Sequence, residues 1–352
     1  MARGVAGFAI VTALAVLAAG CGGSKSAAPA TTGAVKSATV SSLKVGLVTD
    51  IGGLNDRSFN HLAYVGLQRA QSKLGVQGRV LQSQSNADYI PNLTTLARGG
   101  YQLVVAVGFL MTDAVDTVAP RFPKTKFAII DVPWEALKHH PKNVVGLVFR
   151  QEQGGYLAGY LAGLIEKLPS FPRTLKPQVV ASVGGQKIPP VDGYIAGFQA
   201  GAKAADPNVK TLNSYSQDFV AQDKCKTIAL NQIAQGADIV IQLAGGCGLG
   251  ALDATKTKGV WGMGADADQG YLGPYILASA LKKVDVSVYD TAKAVKDGTY
   301  RGGRDDVFDV KNGGIGIAFD SLKIPKSVIG KVKAIQKRIA SGKIKNIPTT
   351  VR

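Results

Sequence analysis

Short apolar segments alternate with helix-like segments along most of the chain, and this alternation limits the possible folds more than any other feature. Each apolar segment is rich in Val, Ile, Leu or Ala and is bounded by polar residues or glycine, which is typical of a buried strand. The alternation stops at a loop with Pro169, Pro172 and Pro177 and then restarts. We therefore expect an α/β fold of two doubly wound lobes on parallel sheets. The predicted strands are 44–48, 79–83, 102–107, 127–130, 144–149, 179–183, 211–215, 238–243, 260–264, 276–281 and 313–319.

The segment Lys44–Asn60, KVGLVTDIGGLNDRSFN, predicts a strand, a glycine loop and the start of a helix. Ser58 is a candidate helix cap, and the helix is predicted from Phe59 to Leu74. In open α/β sheets, ligands bind at the carboxyl ends of the strands. Carboxylates, amides and a phenyl ring together suit a polar ligand with a flat apolar face. The candidate ligand residues of this segment are Asp50, Asn55, Asp56, Ser58, Phe59 and Asn60.

The same glycine loop does not match a nucleotide-phosphate loop. It lacks the Gly-Lys-Ser/Thr ending and the full G-x-G-x-x-G spacing, and its two acids would repel phosphate. The alternative without any ligand is a glycine turn followed by a buried Phe59 that starts the helix.

Strand ends in both halves carry similar candidate residues. In the first half they are Asp50, Phe109 and Asp131, and in the second half they are Gly185, Gly245 and Asp266. Two similar lobes that face each other would form a cleft between these ends.

The amino-terminal residues have the layout of an export signal. Arg3 precedes an apolar run from Val5 to Ala19 that is short for a membrane span. Ala18-Ala19-Gly20-Cys21 resembles the bacterial lipobox, in which the cysteine is lipidated after cleavage. We therefore expect a signal peptide over 1–20, lipidation of Cys21 and a flexible tether over 21–42. An ordinary signal peptide or a retained anchor is the alternative.

The chain is basic, with a formal net charge of +17 at pH 7. Its Lys and Arg residues are spread widely, with mild enrichment after Leu322, and no basic helix is interleaved with aromatic residues. We expect a solvated surface that suits an anionic cell envelope and no binding of nucleic acid.

Two cysteines remain after Cys21, and in an exported chain they are expected to pair. Cys225 starts a predicted helix and Cys247 follows the next strand, so both could lie at one sheet edge. Two free thiols are the alternative. His139 and His140 lie before a proline in a polar loop without other ligands, so we expect no metal, and nothing in the sequence calls for a cofactor.

Five ordered motifs resemble the basic membrane protein family of nucleoside-binding lipoproteins that serve ABC importers. They run from TDIGGLNDRSFN through VGF, FAIID and GGQKIPPVDGYIAGFQAG to GADADQ, and the resemblance covers about Lys44 to Ile317. It implies a type I periplasmic-binding fold, with two Rossmann-like lobes joined by hinge strands around the ligand. The implied lobes are 43–150 with 269–300, and 151–268 with 301–352.

The resemblance also implies roles for individual residues. Phe59 matches a base-stacking aromatic, and the second one falls in Tyr194–Phe198, where Tyr194 is preferred because Phe198 is expected to pack inward. Asn60 and Asp131 match positions that face the base or sugar, and Asp266 and Lys282 match ribose-facing positions. We expect Asp266 to lie near Lys282, since a buried isolated carboxylate would be costly.

The sequence therefore predicts a binding protein rather than an enzyme. The predicted partners are a purine nucleoside, an ABC permease and the membrane, with a monomer lipid-anchored on the outer face of the bacterial cytoplasmic membrane. A surface nucleoside hydrolase that uses Asp266 and Asp268 is one alternative. A binding protein for a free sugar is another, although paired aromatics disfavour it.

Overall fold

The structure, a computed structural model, describes residues 42–351. The predicted signal peptide, the lipidation site and nearly all of the tether lie outside these residues. No helix within the described range is long and apolar enough to span a bilayer.

The strands form two six-stranded sheets whose orders are β11-β5-β4-β3-β1-β2 and β12-β10-β9-β8-β6-β7. All neighbouring strands are parallel except β10 and β12, which are antiparallel. The strand bounds are β1 Lys44–Val48, β2 Gln77–Leu81, β3 Leu103–Ala106, β4 Lys126–Ile130, β5 Val144–Phe149, β6 Val179–Gly184, β7 Lys210–Tyr215, β8 Ile239–Leu243, β9 Trp261–Asp266, β10 Ile276–Lys282, β11 Arg304–Phe308 and β12 Ile315–Phe319.

Helices cover both sheets, as expected where central strands are apolar on both faces. The first sheet with α1, α2, α3 and α8 forms the first lobe, and the second sheet with α4, α5, α6, α7 and α9 forms the second. The helix bounds are α1 Phe59–Leu74, α2 Tyr89–Arg98, α3 Thr112–Val118, α4 Gln151–Glu166, α5 Pro189–Ala205, α6 Gln222–Ala234, α7 Gly245–Lys258, α8 Val284–Lys296 and α9 Lys326–Ala340. This architecture confirms the predicted fold class.

The chain crosses between the lobes three times: after β5, after β10 and between β11 and β12. These crossings differ from the predicted lobe boundaries. Residues 269–300 were assigned to the first lobe, but β10 lies in the second sheet and only α8 packs on the first lobe. Residues 301–352 were assigned to the second lobe, but β11 pairs with β5 in the first sheet. The physical reason is that each sheet receives its sixth strand late in the chain. Strand β11 joins the first sheet after the chain has returned from the second lobe, and β12 joins the second sheet after the next crossing.

Helices α4 and α5 pack with almost no space between their backbones. A Cβ atom added to Gly155 would lie 2.1 Å from the carbonyl oxygen of Tyr194, and one added to Gly159 would lie 1.9 Å from that of Phe198. Only glycine permits this approach. The seam buries Phe198 completely, and Tyr194 on the same helix is buried as well.

A disulfide joins Cys225 in α6 to Cys247 in α7, with Cα atoms 5.5 Å apart. The predicted pairing of these two cysteines is confirmed. The bond ties the first turn of α6 to the first turn of α7, which follows β8 at the sheet edge that faces the first lobe.

Candidate functional site

A cavity lies where the carboxyl ends of the two sheets face each other. Its volume is about 640 Å³ when the opening to solvent is included. Strand ends and the loops after them supply the walls, as expected for open parallel sheets. The lining residues from the first lobe are Asp50, Gly52, Asp56, Phe59, Asn60, Gly108, Phe109, Leu110 and Asp131, and those from the second are Ile188, Pro190, Val191, Tyr194, Phe219, Leu243, Gly245, Asp266 and Lys282.

Two aspartates occupy equivalent places in the two lobes. Asp131 follows β4 and Asp266 ends β9. Strands β4 and β9 are each the fourth strand of their sheet in chain order. Both have left-handed backbones, with φ angles of 68° and 64°. Aspartate is among the few residues with a side chain that tolerate this conformation. The turn directs each carboxylate into the cavity rather than along the sheet.

Lys282, at the end of β10, forms a salt bridge with Asp131 across the two lobes. Its Nζ lies 2.5 Å from Asp131 Oδ2, and the two side chains are only 3% and 5% exposed. The same Nζ lies 4.9 Å from the ring centre of Phe59 and 5.1 Å from that of Phe149. The sequence analysis placed Asp266 beside Lys282, but the salt-bridge partner is Asp131. Lys282 still acts on Asp266 at longer range, because its charge lowers the pKa of that carboxyl.

Asp266 instead contacts Ser58 of the first lobe. Ser58 Oγ lies 2.9 Å from Asp266 Oδ2 and 3.1 Å from the carbonyl oxygen of Ala265, so its hydroxyl can donate to either. Burial raises the pKa of Asp266 to about 6, although Lys282 and Ser58 partly counteract it. The salt bridge and this hydrogen bond both join the lobes, so the structure has a closed cleft.

The glycine loop after β1 is held by Asp56 rather than left free. The Asp56 carboxylate accepts hydrogen bonds from the backbone N–H groups of Ser58, Asn60 and His61. Its remaining partner is the Asn60 amide, which donates to both Asp56 and Asp50. These bonds account for the start of α1 without a side-chain cap from Ser58.

Asp50 keeps one carboxylate oxygen directed at the cavity wall. Its Oδ1 accepts from the Gly52 N–H at 2.8 Å and from Asn60 Nδ2 at 2.7 Å. A Cβ atom on Gly108 would lie 3.0 Å from its Oδ2 and 3.3 Å from the Phe59 ring. Burial raises the pKa of Asp50 to about 6, with the nearby Asp56 and Asp131 charges adding to the effect.

Three predicted ligand residues do not line the cavity. Asn55 is exposed and lines a separate surface depression. Ser58 lies behind the wall and contacts Asp266, and Phe198 is buried in the seam between α4 and α5. Position along the chain was a poor guide for these residues because consecutive loop residues point in different directions.

Phe219 lines the cavity and was not identified from the sequence. It lies in the loop after β7, and its ring packs so closely on Gly185 that a Cβ there would lie 2.2 Å from it. Its place after a strand at the carboxyl edge was the available signal. Rings therefore reach the cavity from both lobes: Phe59 and Phe109 from the first, and Tyr194 and Phe219 from the second. The Tyr194 hydroxyl donates to the carbonyl oxygen of Ala280 at 3.1 Å, which fixes this ring.

His139 and His140 lie at the surface of the first lobe. His139 pairs with Asp116 at 2.7 Å, and His140 lies 3.5 Å from Glu135. Residues 42–351 contain no cluster of three or more His, Cys, Asp or Glu side chains that could hold a metal ion.

The fold and the cavity together define a two-lobed substrate-binding protein of the type found with ABC transporters. Residues 43–348 match the family described as ABC transporter substrate-binding protein PnrA-like, and the chain belongs to that family. Members bind and present substrates rather than transform them, so the chain is a binding protein and not an enzyme.

Individual relatives agree with this assignment. An ABC transporter nucleoside-binding protein, BmpA, from Lactococcus lactis is 33% identical over 365 residues, which cover 97% of this chain and 98% of that protein. An uncharacterized lipoprotein from Pyrococcus horikoshii is 36% identical over 275 residues, 74% of this chain and 65% of that protein. The crystal structure of an ABC transporter solute-binding protein from Aeropyrum pernix K1 is 28% identical with a TM-score of 0.78, over 87% of this chain and 94% of that one. The chain thus works outside the cytoplasm in association with a membrane.

Proposed function

We propose that the protein captures a purine nucleoside between its two lobes and delivers it to the permease of an ABC importer. The observation that carries this proposal is the cavity itself, where aromatic rings from both lobes surround a space that is also lined by four carboxylates and one lysine. A base offers flat faces for the rings, and a ribose offers hydroxyls for the charged groups. The Lactococcus relative carries a name with the same ligand class.

The rings would hold the base. Phe59 on the first lobe and Phe219 or Tyr194 on the second approach the cavity from opposite sides. Stacking of a base on an aromatic ring contributes roughly 1–3 kcal/mol per contact. Because the hydroxyl of Tyr194 is already used by Ala280, Tyr194 would contribute its ring rather than a hydrogen bond.

The charged groups would hold the polar edges of the ligand. Asp50, Asn60 and Asp131 are assigned to the base or sugar, and Asp266 and Lys282 to the ribose. Charge-assisted hydrogen bonds of this kind are stronger than neutral ones. The free Oδ1 atom of Asp131, which is buried and accepts no hydrogen bond among the described residues, is an available acceptor.

The alternatives from the sequence are less well supported by the geometry. A hydrolase using Asp266 and Asp268 would need both carboxylates at the ligand, but Asp268 is exposed, accepts from the Gly270 N–H and does not line the cavity. A free sugar would use the carboxylates and leave several rings of the cavity without a flat partner.

The decisive experiment is identification of the ligand that copurifies with the protein, by mass spectrometry after mild denaturation. Calorimetry should then compare inosine, adenosine and guanosine with the matching free bases and with ribose. We expect the nucleosides to bind at least tenfold tighter than either part. Binding of ribose as tightly as any nucleoside would refute the proposal and favour the hypothesis that the protein binds a free sugar.

We also propose that Cys21 carries the lipid that holds the protein at the outer face of the membrane. The support is the Ala18-Ala19-Gly20-Cys21 motif and the lipoprotein names of several relatives. Cys21→Ala should release the protein from membranes or block its processing. A variant with the parent mass that still fractionates with membranes would contradict the assignment.

A further inference from the structure

The carboxyl-terminal segment carries a concentration of positive charge that the binding function does not use. Residues 321–352 contain nine Lys and Arg residues and no Asp or Glu, so this short segment accounts for about half of the net charge of +17. Eight of these cations lie in the described part of the chain and all are exposed. They are Lys323, Lys326, Lys331, Lys333, Lys337, Arg338, Lys343 and Lys345.

Helix α9 arranges part of this charge in a line. Its buried residues are Val328, Val332, Ile335 and Ile339, which form one apolar stripe against the second lobe. With 3.6 residues per turn, Lys326, Lys333 and Lys337 fall within about 40° of one another on the opposite side. They form a row about 16 Å long that points to solvent.

These cations have no acidic partners, whereas several exposed lysines elsewhere do. Lys226 pairs with Asp253, Lys224 with Asp218 and Lys293 with Asp297. None of the eight lies within salt-bridge distance of a carboxylate of residues 42–351. Like charges four residues apart, as at Lys333 and Lys337, destabilise a helix slightly. A surface of one sign that costs stability points to an anionic partner.

We propose that this basic surface, the row of Lys326, Lys333 and Lys337 together with Leu322, docks on the anionic lipid headgroups of the membrane beside which the protein works. Leu322 is fully exposed at 102% and stands next to Lys323. An apolar side chain among lysines fits the interface of a bilayer, where the leucine enters the headgroup boundary and the lysines contact phosphates. No Phe, Tyr or Trp occurs in residues 321–352, so the surface lacks the rings that single-stranded nucleic acid would stack on.

The test uses residues 22–352, which retain every described helix and strand but lack the apolar amino-terminal segment and Cys21. Flotation is measured with vesicles of phosphatidylcholine alone and with vesicles that contain one-third phosphatidylglycerol. We expect binding only to the anionic vesicles, and we expect it to disappear near 1 M salt, where the screening length falls to about 3 Å.

A triple variant localises the effect. Lys326→Gln, Lys333→Gln and Lys337→Gln together should weaken partitioning on the order of a hundredfold, since each lysine near an anionic surface contributes about 1 kcal/mol. The matched control changes three exposed lysines elsewhere on the second lobe, Lys203, Lys210 and Lys258, to Gln and should bind nearly like the parent. Leu322→Ser alone should weaken binding several-fold.

Three outcomes would overturn the proposal: equal binding to both kinds of vesicle, equal losses in the two triple variants, or no binding to any vesicle. The last result, combined with crosslinking of Lys333 to an acidic protein in intact cells, would assign the surface to a protein partner instead. Thermal unfolding of each variant shows whether the fold is retained.

Discussion

The first and second lobes build their sheets in the same strand order, yet they furnish the cavity with different chemistry. The first lobe brings Asp50, Asn60 and the Asp56-bound loop, a dense network of carboxylates and amides. The second brings the single lysine of the cavity and a wall of apolar side chains from Ile188 to Tyr194. Equivalent strand ends thus determine the positions of the residues that line the cavity, whereas the loop sequences determine whether those residues are polar or apolar.

The one pair of equivalent residues with the same chemistry serves to join the lobes. Asp131 and Asp266 have the same left-handed turn, and each contacts the opposite lobe, through Lys282 and Ser58 respectively. The comparison therefore separates Asp50 and Asn60, which are assigned only to the ligand, from Asp131, Asp266 and Lys282, which also hold the cleft closed. The following predictions test that separation, in order of decreasing effect.

The largest effect is expected from Lys282→Met. The change leaves Asp131 as an unpaired carboxylate that is 5% exposed, so the free energy of unfolding should fall by about 3–5 kcal/mol. Adding Asp131→Asn should restore much of that stability but not ligand affinity. Denaturant unfolding and calorimetry on both variants measure the two effects. Lys226→Met, in the exposed pair with Asp253, is the control and should cost less than about 1 kcal/mol. Equal losses in the two lysine variants would show that the Asp131–Lys282 pair is not buried in solution.

The next effect concerns the pH dependence of stability. Burial raises the pKa of Asp50 to about 6, whereas an unfolded aspartate titrates near its ordinary value of 3.8. The folded state therefore binds more protons between these values, and stability falls as the pH rises from about 4 to 6. Asp50→Asn removes this cost, so the variant should exceed the parent by up to roughly 3 kcal/mol at pH 7 and match it near pH 4. Thermal unfolding across this range is the measurement.

Asp266→Asn is the second-lobe counterpart of that experiment. The pKa of Asp266 is also raised by burial to about 6, and asparagine tolerates its left-handed backbone. We expect the same direction of change in both lobes. A variant of either position that is less stable than the parent at neutral pH would mean that its carboxylate is needed for the fold.

The aromatic rings should matter to affinity rather than to stability. Phe59→Ala and Phe219→Ala should each weaken nucleoside binding by roughly 1–3 kcal/mol, alike for adenosine, guanosine and inosine, because every base has a flat face. Tyr194→Phe keeps the ring and should bind nearly as the parent does. Calorimetry with all three nucleosides shows which lobe supplies the ring that stacks on the base. If Phe59→Ala alone loses affinity, the base is stacked from the first lobe only.

The smallest effect is expected from Ser58→Ala, which removes a hydroxyl bridge between the lobes. The loss of one hydrogen bond is worth about 1 kcal/mol, so ligand affinity should fall about fivefold while the site residues stay in place. Ser72→Ala, an exposed serine on the same helix, is the control. Small-angle scattering should show a more open form for Ser58→Ala without ligand, and an unchanged profile would argue against Ser58 as a closing contact.

Helices and strands were predicted best from the sequence where an apolar pattern ended at a clear polar or glycine-rich boundary. Strand β1 and the start of helix α1 were predicted to the residue, because a continuous apolar run and the polar loop after it leave little choice. Strand β11, RDDVF, was missed because it is an edge strand with charged residues and no apolar run. Helix α7 begins at Gly245, although glycines are unfavourable inside a helix. They are required by close packing, since a Cβ on Gly250 would lie 1.9 Å from the carbonyl oxygen of Gln222.

The site was predictable in its position but not in its pairings. The carboxyl-end rule located Asp50, Phe109 and Asp131 without any contact information. The partner of Lys282 could not be deduced in the same way, because Asp131 lies 151 residues away and in the other lobe. Phe219 was missed for a similar reason: its place after a predicted strand was a signal, but the sequence does not show that the loop after this edge strand folds over the cavity.

The three chain crossings have a consequence for how the protein matures. Both sheets receive their sixth strands, β11 and β12, only from the segment that begins at Arg304. A chain that leaves the cytoplasm amino end first therefore cannot complete either lobe until that segment has emerged. Until then β5 and β10 present open edges, which readily pair with other strands. Late completion delays folding until the whole chain has crossed the membrane, at the cost of a longer exposure to aggregation and proteolysis.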